Sequence, residues 1–320
     1  MTDDCSVTDS QTIAPALCII LAGGPRLSPL AAETGYSVLD LTATKDRTVL
    51  GVWIVRLSEL CSNPHGYPTR IVHDASSPRP ELRSDPGLLS LEVKQERLRY
   101  RGPIGIAHDE AQTLNPDDLI LLVEAGRLPC VSLRPLLQSH STNSADVTVA
   151  ANPDSTTAGL FIFRKRTLEI VPKKGFMDLK EQWLIRGLEK GWNIHVHTLD
   201  EPGALTIRTP EQYLAAVRML NEQSALSVPP GNDSHLSWLE NPAGPSVVST
   251  TATIARDAVL VDSVVMAEAT VGSGCVLART IVSPRTVVGQ DQVIVDAVVG
   301  KSGVHSHSTG RIGGVSGERL

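Results

Sequence analysis

The chain has 320 residues, 41% hydrophobic and 20% charged, which suits a folded protein with one large domain and a small one. Aromatic residues make up only 3%, so Val, Leu, Ile and Ala must fill the cores. A net charge of −6 gives no basic footprint, which speaks against nucleic acid and anionic membranes as partners.

Residues 1–15 are polar and read as a flexible tail, acidic where a secretory leader would be basic. Five scattered cysteines without CxxC spacing predict a reduced, cytoplasmic setting. No apolar run approaches the ~20 residues that cross a bilayer, so no membrane span is expected. Over 16–222, short apolar runs alternate with helical patterns, predicting a parallel sheet flanked by helices. The candidate strands are Leu17–Leu21, Thr69–His73, Leu119–Val123, Asp146–Ala150, Gly159–Phe163 and Asn193–Thr198. The first ends at Gly23-Gly24, where backbone N–H groups can approach a phosphate or base without a Cβ clash. The candidate helices are Thr48–Cys61, Ser132–His140, Leu179–Lys190 and Pro210–Asn221; the last opens on Thr209-Pro210-Glu211, an N-cap, a proline and an early acid. Asp178 and Glu181 suit the start of the third.

The stretch 223–246 is rich in Pro, Gly and Ser and reads as a linker, with Trp238 and Leu239 as anchors to one domain. Beyond it Ile254, Val271 and Val288 lie 17 apart, as do Leu260, Leu277 and Ile294, and Val265, Val282 and Val299. Three near-hexads per period, each with one inward aliphatic, predict a triangular parallel β-helix over 247–302. It resembles the left-handed β-helix of hexapeptide-repeat proteins. Its open ends call for cover by the main domain or another subunit. Residues 303–320 read as a flexible tail. His195-x-His197 lacks a third ligand at clear spacing and reads as strand histidines rather than a metal pair; His305-x-His307 lies in the tail.

Leu21-Ala22-Gly23-Gly24 with Arg26-Leu27-x-Pro29-Leu30 resembles the opening of the sugar-1-phosphate nucleotidyltransferases, roughly LAGGxGTRLxPLT. Further pieces in the same order are Gly102-Pro103-Ile104-Gly105-Ile106-Ala107 (PLGTA), Thr157–Phe163 (NAGIYVF), Lys174–Glu181 and Thr209–Leu214 (GTPEDYL). The resemblance implies a Rossmann-like nucleotidyltransferase domain, mostly parallel, with a C-terminal β-helix. It also implies nucleotide contact through Leu21, Ala22, Gly23, Gly24 and Gly105.

The chemistry that the resemblance implies is an attack by a sugar-1-phosphate on the α-phosphate of an NTP, driven by Mg²⁺ and basic side chains. The family's two Mg²⁺ aspartates correspond here to Arg127 and Thr206, and a family glycine to Arg208. The family's PKP lysine falls near Ser37, its EKP segment is missing, and Pro25 replaces part of the glycine loop. Glu124 stands nearby as a displaced ligand candidate. Losing one strong electrostatic contact costs ~10²–10³ in rate, so several losses leave little turnover. No metal site and no cofactor is therefore expected. Arg26 is the one catalytic candidate, with an exposed loop arginine as its bland alternative, and Arg127 with Arg208 is a candidate phosphate clamp beside ordinary ion pairing.

The expected function is a degenerate nucleotidyltransferase-like subunit. It would bind a nucleotide or NDP-sugar and act as a homo-oligomer, or with an active pyrophosphorylase, in sugar-nucleotide or polysaccharide synthesis. The alternative is an active enzyme with a remodelled, arginine-based site. An acyltransferase using the β-helix is disfavoured, since no histidine lies between Ile254 and Gly300.

Overall fold

In the computed structural model, which describes residues 14–23, 27–60, 66–82, 89–96, 101–199, 203–226 and 246–306, the apolar run Leu17–Leu21 is a strand (β1) buried throughout. Unbroken apolarity of this kind marks a strand covered on both faces. There follow α1 (Pro29–Thr34), α2 (Val49–Ser58), β2 (Pro68–His73), β3 (Ser90–Gln95), α3 (Gly102–Glu110), β4 (Leu119–Glu124), β5 (Arg127–Pro129) and α4 (Arg134–Thr142). Next come β6 (Val147–Ala151), β7 (Thr157–Arg164), α5 (Ile185–Glu189), β8 (Ile194–Thr198), β9 (Ala204–Thr206) and α6 (Pro210–Leu226).

Seven strands form one sheet in the order β3-β2-β1-β4-β7-β6-β8. Only β7 in it runs antiparallel to its neighbours. The chain steps from β1 to β2 and β3 on one side, then returns to pair β4 on the other side of β1. Such a reversal opens a crevice beyond the carboxyl ends of the two central strands. One face buries Leu17, Ile19 and Leu21 with Ile120, Leu122, Phe161 and Phe163, against Ile104 and Ala107 of α3 and Trp183. Trp183 meets Phe163 and Trp192 edge-on, and its indole N–H donates to the Thr167 carbonyl. Gly187 makes this possible, because a Cβ there would lie 2.2 Å from the Trp192 ring.

All six candidate strands form within a residue or two of their expected ends. The expected helix Leu179–Lys190 is split: Leu179–Leu184 is π-helical and continues as α5. Asp178 caps it, accepting from the Lys180 and Glu181 N–H groups at 2.7 Å each. The strand β3 and helices α1 and α3 have no counterpart among the expected elements.

The chain divides into two compact units. One holds the described residues of Met1–Pro25, Trp53–Ala75 and Asp85–Ala204, and with them the whole seven-stranded sheet. The other holds those of Arg26–Val52, Ser76–Ser84 and Leu205–Leu320. The division does not follow the expected boundary at 222, because 26–52, 76–84 and 205–222 group with the C-terminal repeat.

Within the second unit the 17-residue ladders are real neighbours. Ile254 pairs with Val271 and Val271 with Val288; Leu260, Leu277 and Ile294 follow suit, as do Val265, Val282 and Val299. All pair in parallel, and all nine pack in one apolar interior. Left-handed backbone turns the corners: Asp262, Arg279 and Asp296 have φ of 46°, 47° and 49°, one coil apart. The final coil packs on α1, where Tyr36 donates to the Pro284 carbonyl at 3.2 Å and the Lys301 ammonium lies 5.0 Å above the Tyr36 ring.

The flexible tail expected from residue 303 is corrected at its start. Gly303–Ser306 is a strand antiparallel to Ala297–Gly300, and Gly303, at φ +118°, makes the reversal possible. The linker expected over 223–246 likewise begins as helix, since α6 continues to Leu226. Trp238, Leu239, His307 and the N-terminal tail up to residue 13 lie outside the described residues.

Candidate functional site

The strand-order reversal puts the ends of β1 and β4 side by side. The Ala22 N–H donates to the Val72 carbonyl at 2.8 Å and the Ala125 N–H to the Leu21 carbonyl at 3.0 Å, so β1 is held from both sides up to its last residue. Two residues past β1, Gly23 is exposed and runs against Asp74, the first residue beyond β2. A Cβ at Gly23 would stand 2.6 Å from Asp74 Oδ2 and 2.7 Å from its backbone N, so no larger residue fits without a shift. The approach places an acceptor carboxylate beside the glycine turn, suited to a ribose hydroxyl or a base N–H and opposed to phosphate.

On the β4 side, Glu124 Oε2 lies 3.8 Å from Arg127 Nε, both side chains being partly buried. The Trp53 indole fixes the backbone by donating to the Arg127 carbonyl at 3.0 Å. Gly159 makes room for the pair: it has φ +71°, and a Cβ there would meet Arg127 Cγ at 3.0 Å and Glu124 Cβ at 3.2 Å.

Gly105 lies on α3 and faces Arg101, whose Cβ is 3.1 Å from where a Gly105 Cβ would be. Arg101 is only 1% exposed and is saturated: it forks onto both Asp109 oxygens at 2.8 Å and donates to the Pro172 and Gly175 carbonyls at 2.9 Å. The visible role of Gly105 is therefore to admit a buried arginine that ties α3 to the 172–177 loop.

Leu21, Ala22, Gly23, Glu124 and Arg127 are thus brought together, while Gly24 and Arg26 lie outside the described residues. Arg208 belongs to the other unit, just ahead of α6, where its N–H and that of Thr209 donate to Gln212 Oε1, and the Gln212 N–H donates to Thr209 Oγ1. This reciprocal cap accounts for the Thr-Pro-Glu-Gln stretch. Of the histidine pairs, His195 Nε2 lies 2.9 Å from Ser139 Oγ and His305 Nε2 2.8 Å from Ser302 Oγ.

Magnesium, which the resemblance implies, does not fit this donor set. It takes about six oxygen ligands, several of them carboxylate or phosphate, whereas a guanidinium and a threonine stand at the two acid positions. Glu124 faces Arg127, the Asp74 carboxylate lies against Gly23 on the other side of β1, and no described group of three or more His, Cys, Asp and Glu side chains suits a metal. Reasoning from the sequence missed Asp74, although an acid directly after an apolar strand run is a legible signal for a site at a strand's carboxyl end. It also missed Gly159 and Arg101, whose roles need tertiary contacts to be seen.

No family model and no curated relative matches the chain. Among solved structures, a Bacillus anthracis protein described as a glucose-1-phosphate thymidylyltransferase, crystallised with sucrose, aligns with a TM-score of 0.52 at 13% identity. The alignment covers 68% of this chain and 98% of that one. At such identity the likeness speaks for architecture alone: this chain has a sugar-1-phosphate nucleotidyltransferase-like fold, joined to a C-terminal parallel β-helix.

Proposed function

We propose that this protein binds a nucleotide or NDP-sugar at the crevice beyond β1 and β4 but does not catalyse nucleotidyl transfer. It would serve as a cytoplasmic regulatory or structural subunit in sugar-nucleotide or polysaccharide synthesis, as a homo-oligomer or beside an active pyrophosphorylase. The observation that carries this reading is Arg127, a cation 3.8 Å from Glu124 at the position where the resemblance expects a magnesium-gripping aspartate. A guanidinium there repels a dication and engages the neighbouring carboxylate. What survives is the nucleoside end: the backbone of Leu21, Ala22 and Gly23, with the Asp74 carboxylate alongside.

The active alternative, a remodelled arginine-based site in place of the metal, draws support from the partly buried Arg127 at the crevice. Two measurements separate the readings. Calorimetry with each NTP and a panel of NDP-sugars, with Mg²⁺ or EDTA, should give heat that is insensitive to the metal. Pyrophosphate release from NTP plus sugar-1-phosphates should stay at background; turnover at ordinary enzymatic rates supports the arginine-based site, and absence of heat with every ligand removes the binding claim.

A further inference from the structure

The seven-stranded sheet ends on β3 at one edge and on β8 at the other, and the two edges are finished differently. An edge strand offers unpaired backbone groups to any passing strand, and proteins discourage this with charged side chains, proline or bulges. β3 carries Glu92 and Lys94, joined at 3.1 Å and tied to Arg70 and Glu110 of the neighbouring elements. β8 reads Ile-His-Val-His-Thr, with no Lys, Arg, Asp, Glu or Pro and no bulge against β6. Its central residue, Val196, is 57% exposed. The ladder with β6 fixes which backbone groups are left. The Asn193 carbonyl accepts from the Asp146 and Val147 N–H groups at 2.9 and 3.3 Å, and the Leu199 N–H donates to the Ala151 carbonyl at 2.9 Å. The N–H and C=O of one strand residue point to the same side, and the sides alternate along the strand. Residues 193, 195, 197 and 199 therefore turn to β6. Ile194, Val196 and Thr198 turn their backbone outward, where no described strand takes it.

We infer that β8 is a dimerisation edge, pairing antiparallel with β8 of a second copy of this chain about a two-fold axis at Val196. This register uses all the outward groups: Val196 faces Val196 of the second copy, and Ile194 faces its Thr198. A two-fold contact is self-complementary, so one edge serves both copies. The exposed Val196 side chains become cross-strand neighbours and lose their contact with water. Charge selects the same arrangement. Lys190 precedes the strand, and Asp200 and Glu201 follow it in the sequence. Antiparallel pairing brings the basic end of each strand to the acidic end of the other, whereas parallel pairing opposes like charges. Five residues are few against the ~20–30 a side of a stable interface, so the dimer is reversible. Nucleotide binding plays no part in the inference, since β8 is the last strand of the sheet and the crevice belongs to β1 and β4.

The test is sedimentation velocity of the full chain, alone and as Val196 variants. The wild type should pass from monomer to dimer between about 1 and 200 µM, the range of a weak, reversible contact. Val196→Pro removes an outward N–H and no bond to β6, and should weaken the dimer at least tenfold. Val196→Lys and Val196→Glu each set like charges across the axis and should weaken it by a similar factor. An equimolar mixture of these two should restore the dimer, because opposite charges then meet at the axis. A wild type that stays monomeric throughout overturns the inference. So does a dimer that none of the variants weakens, since its contact then lies elsewhere, on the β-helix for example. Failure of the mixture to recover the dimer overturns the register at Val196. Should Val196→Pro fail to fold, the charge pair still decides, because Val196 is exposed enough to accept either side chain.

Discussion

Gly23 is a residue whose side chain is forbidden rather than merely absent. A methyl there would sit 2.6 Å from a carboxylate oxygen, which can swing away, and 2.7 Å from the Asp74 backbone nitrogen, which cannot. Gly23→Ala should therefore displace the β1 turn, costing about 1–3 kcal/mol by overpacking. Urea denaturation should register that loss, and nucleotide heats should fall at least tenfold; unchanged binding would detach the glycine from the site. Two other residues separate cleanly by pH. His140 titrates at about 4 in the fold, with burial as the main cause, followed by Arg164, partly offset by Asp146, and then by His195. Because the folded value is depressed below the unfolded one near 6.5, the folded state holds fewer protons, so stability falls as pH drops from about 6.5 to about 4, by at most about 3 kcal/mol. Burial alone would raise Asp109, but hydrogen bonds from Arg101 and His108 hold its carboxyl below the ordinary range. Its contribution is whole above pH ~4 and disappears only as pH falls further. Urea midpoints across pH 2.5–7 should show His140→Gln flattening the upper window and Asp109→Asn the lower one. The second variant should also cost about 3–5 kcal/mol at neutral pH, because it strands the buried Arg101 charge.

At the scale of elements, legibility follows the range of the forces that shape them. The β-helix could be read from spacing because parallel, in-register stacking puts residues 17 apart in contact, and any other spacing would bury the wrong side chains. Leu277 sits between Leu260 and Ile294 at 0% exposure, so Leu277→Ala should cost about 2–5 kcal/mol, seen as a drop in melting temperature. Val293 lies beside the same ladder but is 71% exposed, and Val293→Thr should stay within about 0.5 kcal/mol; equal losses at the two positions would refute the inward assignment. Local signals served the buried strands equally well, since β1 and β4 are apolar along almost their whole length. They failed at α3, which opens on Gly-Pro, carries another glycine at Gly105 and depends on the Arg101 tie to the 172–177 loop. They failed also at the π-helical turn Leu179–Leu184, within which Trp183 reaches the Thr167 carbonyl and the Phe163 and Trp192 rings. The candidate site divides the same way. Leu21 to Gly23 announce themselves as a strand running into glycine and Asp74 as an acid closing one, whereas their meeting and the role of Gly159 depend on strands far apart in sequence.

For the molecule as a whole, the net charge of −6 sets how any nucleotide must arrive. A nucleoside triphosphate carries about four negative charges at neutral pH, so the mean field of the protein opposes its approach, most strongly at low ionic strength where the screening length is about 30 Å. A site that grips base and ribose beside Asp74 gains nothing from the phosphates to offset this repulsion. Raising salt from 10 to 150 mM should then leave NTP affinity unchanged or improve it a few-fold, and the bare nucleoside should bind within about tenfold of the triphosphate. An arginine clamp on the phosphates behaves in the opposite way, losing affinity steeply with salt and discarding the nucleoside. Calorimetric titration of one nucleoside and its triphosphate at the two salt concentrations distinguishes these cases without reference to catalysis. A fall in triphosphate affinity of tenfold or more would assign the crevice to phosphate and return Arg127 to a working role.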